Sequence, residues 1–306
     1  MRWLDRVHRL CPAALRPTRP SATRYPELRK CDLYLSGGGV PPPEFRPRKD
    51  RPSWRMALPL DWAANPFNDT NWQFHLNSWR MIDPLVHQWY RRSDASLVRE
   101  GFAYAQDWWR YHRDGRSTAV SWNDMASGIR AFKLAFFLER LRLGDLDLSR
   151  AGRTDLFALV DAHATFIANP KNVRTNNHSL IQAIGYRLLC RQAYDRKACA
   201  DGEARSASYL RRIIDHQFTS EGIHREHSPG YHFFVTDLLA DLNVAELFTD
   251  VADVATITQR AEAIRPWLVF PNREVVRVGD HAPMGDPLTE ASQTHVVAGR
   301  GVSSSV

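Results

Sequence analysis

Two short stretches concentrate the side chains that can move protons. Gly222-Ile223-His224-Arg225-Glu226-His227-Ser228-Pro229-Gly230-Tyr231-His232 combines three histidines, a glutamate and a tyrosine, and Asn176-Asn177-His178-Ser179 forms a second polar knot upstream. Imidazole titrates near neutrality and can give or take a proton. A phenol ionises near ~10, so Tyr231 can serve as a base only beside cations, for which His232, His178 and Arg225 are the candidates. Asn177 can donate its amide N–H to a ligand carboxylate, whereas Asn176 also suits a helix cap, its side-chain oxygen accepting from an orphan backbone N–H. His224, His227, His232 and Glu226 are all ligand types, but their spacing matches neither HExxH nor a zinc pattern, so no metal and no cofactor is expected.

The segments that must position these groups are helical. Apolar residues recur at helical spacing from Trp72 to Trp89, and Ser93-Asp94 then offers an N-cap to a helix through Trp109. Further helices are predicted over 121–141, 155–168, 175–194, 204–218, 232–248 and 254–268. Pro229-Gly230 marks a turn that presents Tyr231 at the start of one of them. The only clear β signal is 274–278, where Val275, Val276 and Val278 follow Pro271-Asn272. Residues 36–53, with Gly37-Gly38-Gly39 and Pro41-Pro42-Pro43, read as a linker without regular structure, and 1–18 as a short basic helix. The resulting division is a basic, Pro/Gly-rich extension over 1–53, a helical domain over 54–270, and a β beginning with an irregular tail over 271–306. Helical hairpins in series fit either an α-solenoid or a closed α/α toroid.

With 306 residues, 43% of them hydrophobic, the chain can bury a large core. Its net charge of +7, mostly arginine, favours a polyanionic partner, either nucleic acid or an acidic polysaccharide. Ten tryptophans serve equally as core or as sugar-stacking rings. Cys11, Cys31, Cys190 and Cys199 show no CxxC or zinc spacing and are read as reduced thiols. Residues 1–20 contain no continuous apolar run, so the sequence as it stands reads as cytoplasmic and not membrane-bound, or periplasmic if the true start lies elsewhere.

The chain resembles the heparinase II/III-like polysaccharide lyases, which include alginate and heparan-sulfate lyases. The resemblance rests on Asn176-Asn177-His178-Ser179, on Glu226-His227-Ser228-Pro229-Gly230-Tyr231-His232, and on the junction-like run from Pro271 to Asp280. Weaker echoes are the run from Asn65 to Trp72 and Trp122-Asn123-Asp124-Met125. It implies an (α/α) toroid of helical hairpins followed by a β-sandwich region, an anionic polysaccharide as partner rather than nucleic acid, and β-elimination at a uronic acid. It implies too that Asn177 and His178 neutralise the uronate carboxylate, that Tyr231 acts as base and acid with His178 as the alternative base, and that Glu226 and His232 support them. Trp72, Trp79 and Arg80, with Asn176, become candidates for a sugar-binding groove. Because the family continues far beyond this junction, an incomplete toroid is expected. The rivals are a non-catalytic remnant that binds acidic glycans and a helical interaction protein.

Overall fold

Several helices begin where a side chain can satisfy orphan backbone donors. The structure, a computed structural model, describes residues 40–279. The Asp69 carboxylate accepts from the N–H groups of Asn71 and Trp72 to open α1 (Thr70–Asn77). The apolar run expected as one helix then breaks. Trp79 adopts φ of 59°, a 3-10 turn covers Arg80–Ile82, and α2 (Asp83–Arg92) starts afresh. Asp94 caps α3 (Ala95–Arg113), as its position predicted, by accepting from the Ser96 N–H. Asn123 caps α4 (Asp124–Leu143), and Ser149 caps α5 (Arg150–Ala168). Next come α6 (Asn177–Gln192) and α7 (Gly202–Gln217), then α8 (Pro229–Val244), capped by Ser228, and α9 (Ala252–Ile264), which a 3-10 turn over Arg265–Leu268 extends. The chain is therefore mainly α, with α2 packed on α3, α4 on α5, and α8 on α9. No helix among the described residues is long and apolar enough to cross a membrane.

The described chain forms two compact units. One comprises 40–174 with His178–Ser206, the other Thr175–Asn177 with 207–279. In the first, α4 is the central helix and buries even the charged side chains of Arg130, Lys133, Glu139 and Arg140. Lys133 Nζ lies 2.6 Å from Asp83 Oδ1, both side chains being fully buried. Its ammonium also donates to the carbonyls of Ser78 and Trp79, which ties α4 to the break around Trp79. Arg130, also fully buried, donates from Nε to His163 Nε2 (2.7 Å) and from Nη1 to the Asn77 carbonyl (2.7 Å).

Two glycines set the distance between α4 and α6. A Cβ on Gly185 would lie 2.2 Å from the Gly128 carbonyl oxygen, and one on Gly128 would lie 2.6 Å from the Ile181 carbonyl oxygen. The two backbones thus touch where any side chain would keep them apart.

Two expectations need correcting, and a third is met in part. Residues 36–53 are not wholly irregular: β1 (Glu44–Phe45) pairs antiparallel with β2 (Trp54–Arg55), crossing the 53/54 boundary. The physical cause is aromatic packing, since Phe45 and Trp54 both meet the Trp72 ring edge-on, at 5.5 and 5.3 Å. Cys190 and Cys199 are not thiols but a disulfide. Absence of a CxxC spacing does not preclude the bond, because α6 ends at Gln192 and the 3-10 turn Lys197–Cys199 returns the chain to Cys190. The Tyr186 hydroxyl, donating to the Ala198 carbonyl, pins the same turn. From the nine-residue separation, Cys190→Ser is expected to lower unfolding free energy by about 2–3 kcal/mol, read from denaturant midpoints with and without reductant. Finally, the 274–278 β signal appears as a bridge between Val269 and Val275, both packed on Phe233. The basic segment 1–18, Cys11, Cys31 and the tail beyond 279 lie outside the described residues.

Candidate active site

The head of α6 is held by a hydrogen-bond network rather than by one cap. Ser179 Oγ accepts from the Arg174 N–H (2.8 Å), and Gln182 Nε2 donates to Ser127 Oγ (3.2 Å) and to the Asn172 carbonyl (3.1 Å). Since Ser127 lies in the first turn of α4, the two helix heads are locked together. The product is a pair: His178 Nδ1 lies 3.0 Å from Asp124 Oδ1, with the imidazole half-exposed and the carboxylate largely covered. Burial alone would raise Asp124. Hydrogen bonds from His178 and the Met125 N–H, together with the charges of His178 and Arg174, outweigh it and hold the carboxyl below its usual range. An ionised carboxylate only accepts, so Nδ1 of His178 is the donor of the pair. An imidazole oriented this way by a carboxylate is prepared to take up or release a proton.

The second stretch lies in the other unit. Phe218 and His224 form a bridge, and Gly222 takes φ of 93° in the turn between them. Ser228 then caps α8, with Pro229 at its first position and Tyr231 in its first turn. Tyr231 is half-buried, and among the described residues no group hydrogen-bonds its hydroxyl. Asn176 and Asn177, also half-buried, belong to the same compact unit as Tyr231, whereas His178 belongs to the other.

Of the roles expected of His232, that of a cation beside Tyr231 does not fit its surroundings. Its Nε2–H donates to the Ala261 carbonyl (2.9 Å) and its Nδ1 accepts the His224 N–H at 3.4 Å. Burial pushes its pKa down to about 4, only partly opposed by the Ala261 bond, and His224 is likewise lowered to about 4 by burial and by its histidine neighbours. His232 is therefore neutral near pH 7 and cannot be a cation for Tyr231, although it anchors the turn that precedes the tyrosine. Both its ring nitrogens are committed to backbone, which removes it from any metal set. Among the described residues no group of three or more His, Cys, Asp or Glu is arranged to hold a metal. Glu226 and His227 are exposed, and His227 has φ of 52°.

The groove candidates are corrected by burial. Trp72 and Trp79 are 0% exposed and belong to the core. Arg80 Nη1 pairs with Asp83 Oδ2 at 3.1 Å, so it serves the Lys133 network rather than a surface. Sequence reasoning missed Asp124 as the partner of His178. The Trp122-Asn123-Asp124-Met125 run contained it, but a carboxylate at a helix start reads first as a cap.

The model of the heparinase II/III N-terminus matches residues 35–283. The chain belongs to the heparinase II/III family. Its fold is that of the family's helical toroid domain. The heparan sulfate lyase HepC from Pedobacter heparinus superposes with a TM-score of 0.59 at 16% identity, over 76% of this chain and 38% of that one. A heparinase III, the BT4657 gene product, gives a TM-score of 0.54 at 17% identity, over 75% of this chain and 39% of that one. The heparinase-type chain thus spans well under half the length of these lyases. No curated protein matches it.

Proposed function

We propose that this heparinase-type domain serves a lyase that cleaves a uronate-containing polysaccharide by β-elimination. The observation that carries the proposal is the Asp124-oriented His178, directly after Asn177 at the head of α6. The C5 proton of a uronate is weakly acidic because the adjacent carboxylate is already negative. Donors aimed at that carboxylate stabilise the charge that develops as the proton leaves. Asn177 supplies an amide N–H for this task, with His178 beside it in the chain. A base takes the C5 proton, the C5–H electron pair becomes the C4–C5 double bond, and the C4–O bond breaks. The departing oxygen then receives a proton. Tyr231, whose hydroxyl no described residue holds, fits the base-and-acid role, and His178, oriented by Asp124, fits the base role for the opposite epimer. The Cys190–Cys199 bond favours an oxidising compartment over the cytoplasm as the site of action.

The test incubates the protein with alginate, heparan sulfate, hyaluronan and chondroitin and follows ultraviolet absorbance of the unsaturated uronyl product. Product is expected on one of them, with at least about a hundredfold loss in Tyr231→Phe. An unchanged Tyr231→Phe rate refutes the assignment. Glycan binding by wild type without product on any substrate would favour a binding domain that does not cleave.

A further inference from the structure

Where Trp72 and Trp79 are sealed in the core, Trp122 is only half-buried. It sits two residues before Asp124, so its Cα lies within about 7.6 Å of that of the residue orienting His178. Its ring packs against His163 at 4.9 Å and Phe166 at 5.1 Å, which fixes its plane. Behind it is an unusual charge. The Arg130 guanidinium lies 5.4 Å from the Trp122 ring centroid and 4.4 Å from that of Trp108, and Nη2 has no hydrogen-bond partner. Among the described residues its bonded partners are a backbone carbonyl and a neutral imidazole, not a carboxylate. His163 Nδ1–H donates to the Leu159 carbonyl, so the ring meets Arg130 with a lone pair rather than a second charge. A buried cation is normally paired, since desolvation penalises it heavily. Here it is balanced only by indole faces and dipoles, and its field is not cancelled locally. On the rim, Arg174 is exposed and close enough to influence Asp124 electrostatically. No described group pairs with its guanidinium.

From this juxtaposition we infer that Trp122 is a stacking platform for an acidic sugar residue in a subsite adjoining His178, with Arg130 attracting the sugar's anionic group from behind the ring and Arg174 from the rim. A hexopyranose presents a C–H face that covers an indole. The two arginines add the charge preference, so the platform selects anionic over neutral sugars. The inference rests on the lyase reading for its substrate, but its test is a binding measurement.

The full chain is titrated, by calorimetry at two salt concentrations, with a heparan sulfate hexasaccharide and with the same oligosaccharide desulfated and carboxyl-reduced. Trp122→Ala is expected to weaken binding of the acidic probe about tenfold and Trp122→Phe less than about threefold. Arg174→Gln is expected to weaken it about threefold and to flatten its salt dependence. The neutral probe should bind at least about tenfold more weakly to wild type. A folded Trp122→Ala that binds like wild type overturns the platform. If that variant does not fold, an Arg174→Gln with unchanged affinity and salt dependence overturns the subsite, because its exposed side chain can be replaced without disturbing the core. Equal affinity for the neutral probe overturns the charge selection. Unchanged turnover in Tyr231→Phe with binding lost in Trp122→Ala would sink the elimination chemistry and leave the subsite standing, whereas wild type that binds no acidic probe removes the subsite itself.

Discussion

Gly185→Ala is expected to destabilise the protein by more than about 4 kcal/mol, although alanine is the better helix former by about 1 kcal/mol. The new methyl would sit 2.2 Å from the Gly128 carbonyl oxygen, and backbone cannot swing aside as a side chain can. Relief requires α4 and α6 to separate by about 1 Å, which opens the packing along both helices. Each carries one half of the Asp124–His178 pair near its head, and the Gln182–Ser127 bond spans the same seam. Under the proposed lyase reading, molecules that still fold should therefore lose turnover as well, since a displacement of this size at a reacting group costs about a hundredfold. Gly152→Ala is the control: its methyl would meet only Leu148 and Ser149 side-chain atoms, at 3.4 Å or more. Denaturant midpoints decide the matter, and a Gly185→Ala as stable as wild type would refute the close-contact argument.

Mild acid should unfold the protein well before its carboxylates are protonated. His224 and His232 are each 2% exposed and held neutral, with pKa pushed down to about 4 by burial first. In the unfolded chain both return to about 6.5. Between those values the unfolded state binds more protons, so stability is fully present above pH ~6.5 and falls as pH drops toward 4. Each group contributes up to about 3 kcal/mol over that window. His163, fully buried beside Arg130, is pushed further down by burial and by that charge. His75 and His112, both lowered to about 4, act in the same direction. Asp237 and Glu262, raised by burial despite Arg265, bind protons more readily when folded and offset part of the loss near pH 4–5. The histidines outnumber them, so the denaturant midpoint should fall steeply from pH 7 to pH 5. A flat profile across that interval would mean that these rings are not buried and neutral.

Local features of the fold were legible because helix signals are local. Asp94 was readable as a cap, and Pro229-Gly230, read as a turn before a helix from 232, instead form the first turn of α8 behind the Ser228 cap. The same locality explains the misreadings. Trp72 and Trp122 are one residue type, and only packing shows that the first is sealed while the second is half-buried. The break at Trp79 was invisible because apolar spacing continues through it while the backbone turns left-handed. The Cys190–Cys199 bond was not legible because it depends on the chain turning back after α6, not on a short Cys spacing motif.

The sequence by itself determined the family, the mainly helical class, and the two polar stretches with Asn177, His178 and Tyr231. These follow from residue types and short spacings, which survive in any arrangement of the helices. The tertiary structure decided which groups meet. Asp124 orients His178 because two glycines let α4 and α6 touch, and nothing in the spacing along one helix encodes that approach. His232 is a neutral anchor rather than a cation because burial outweighs its intrinsic basicity, and burial is a property of the packed chain.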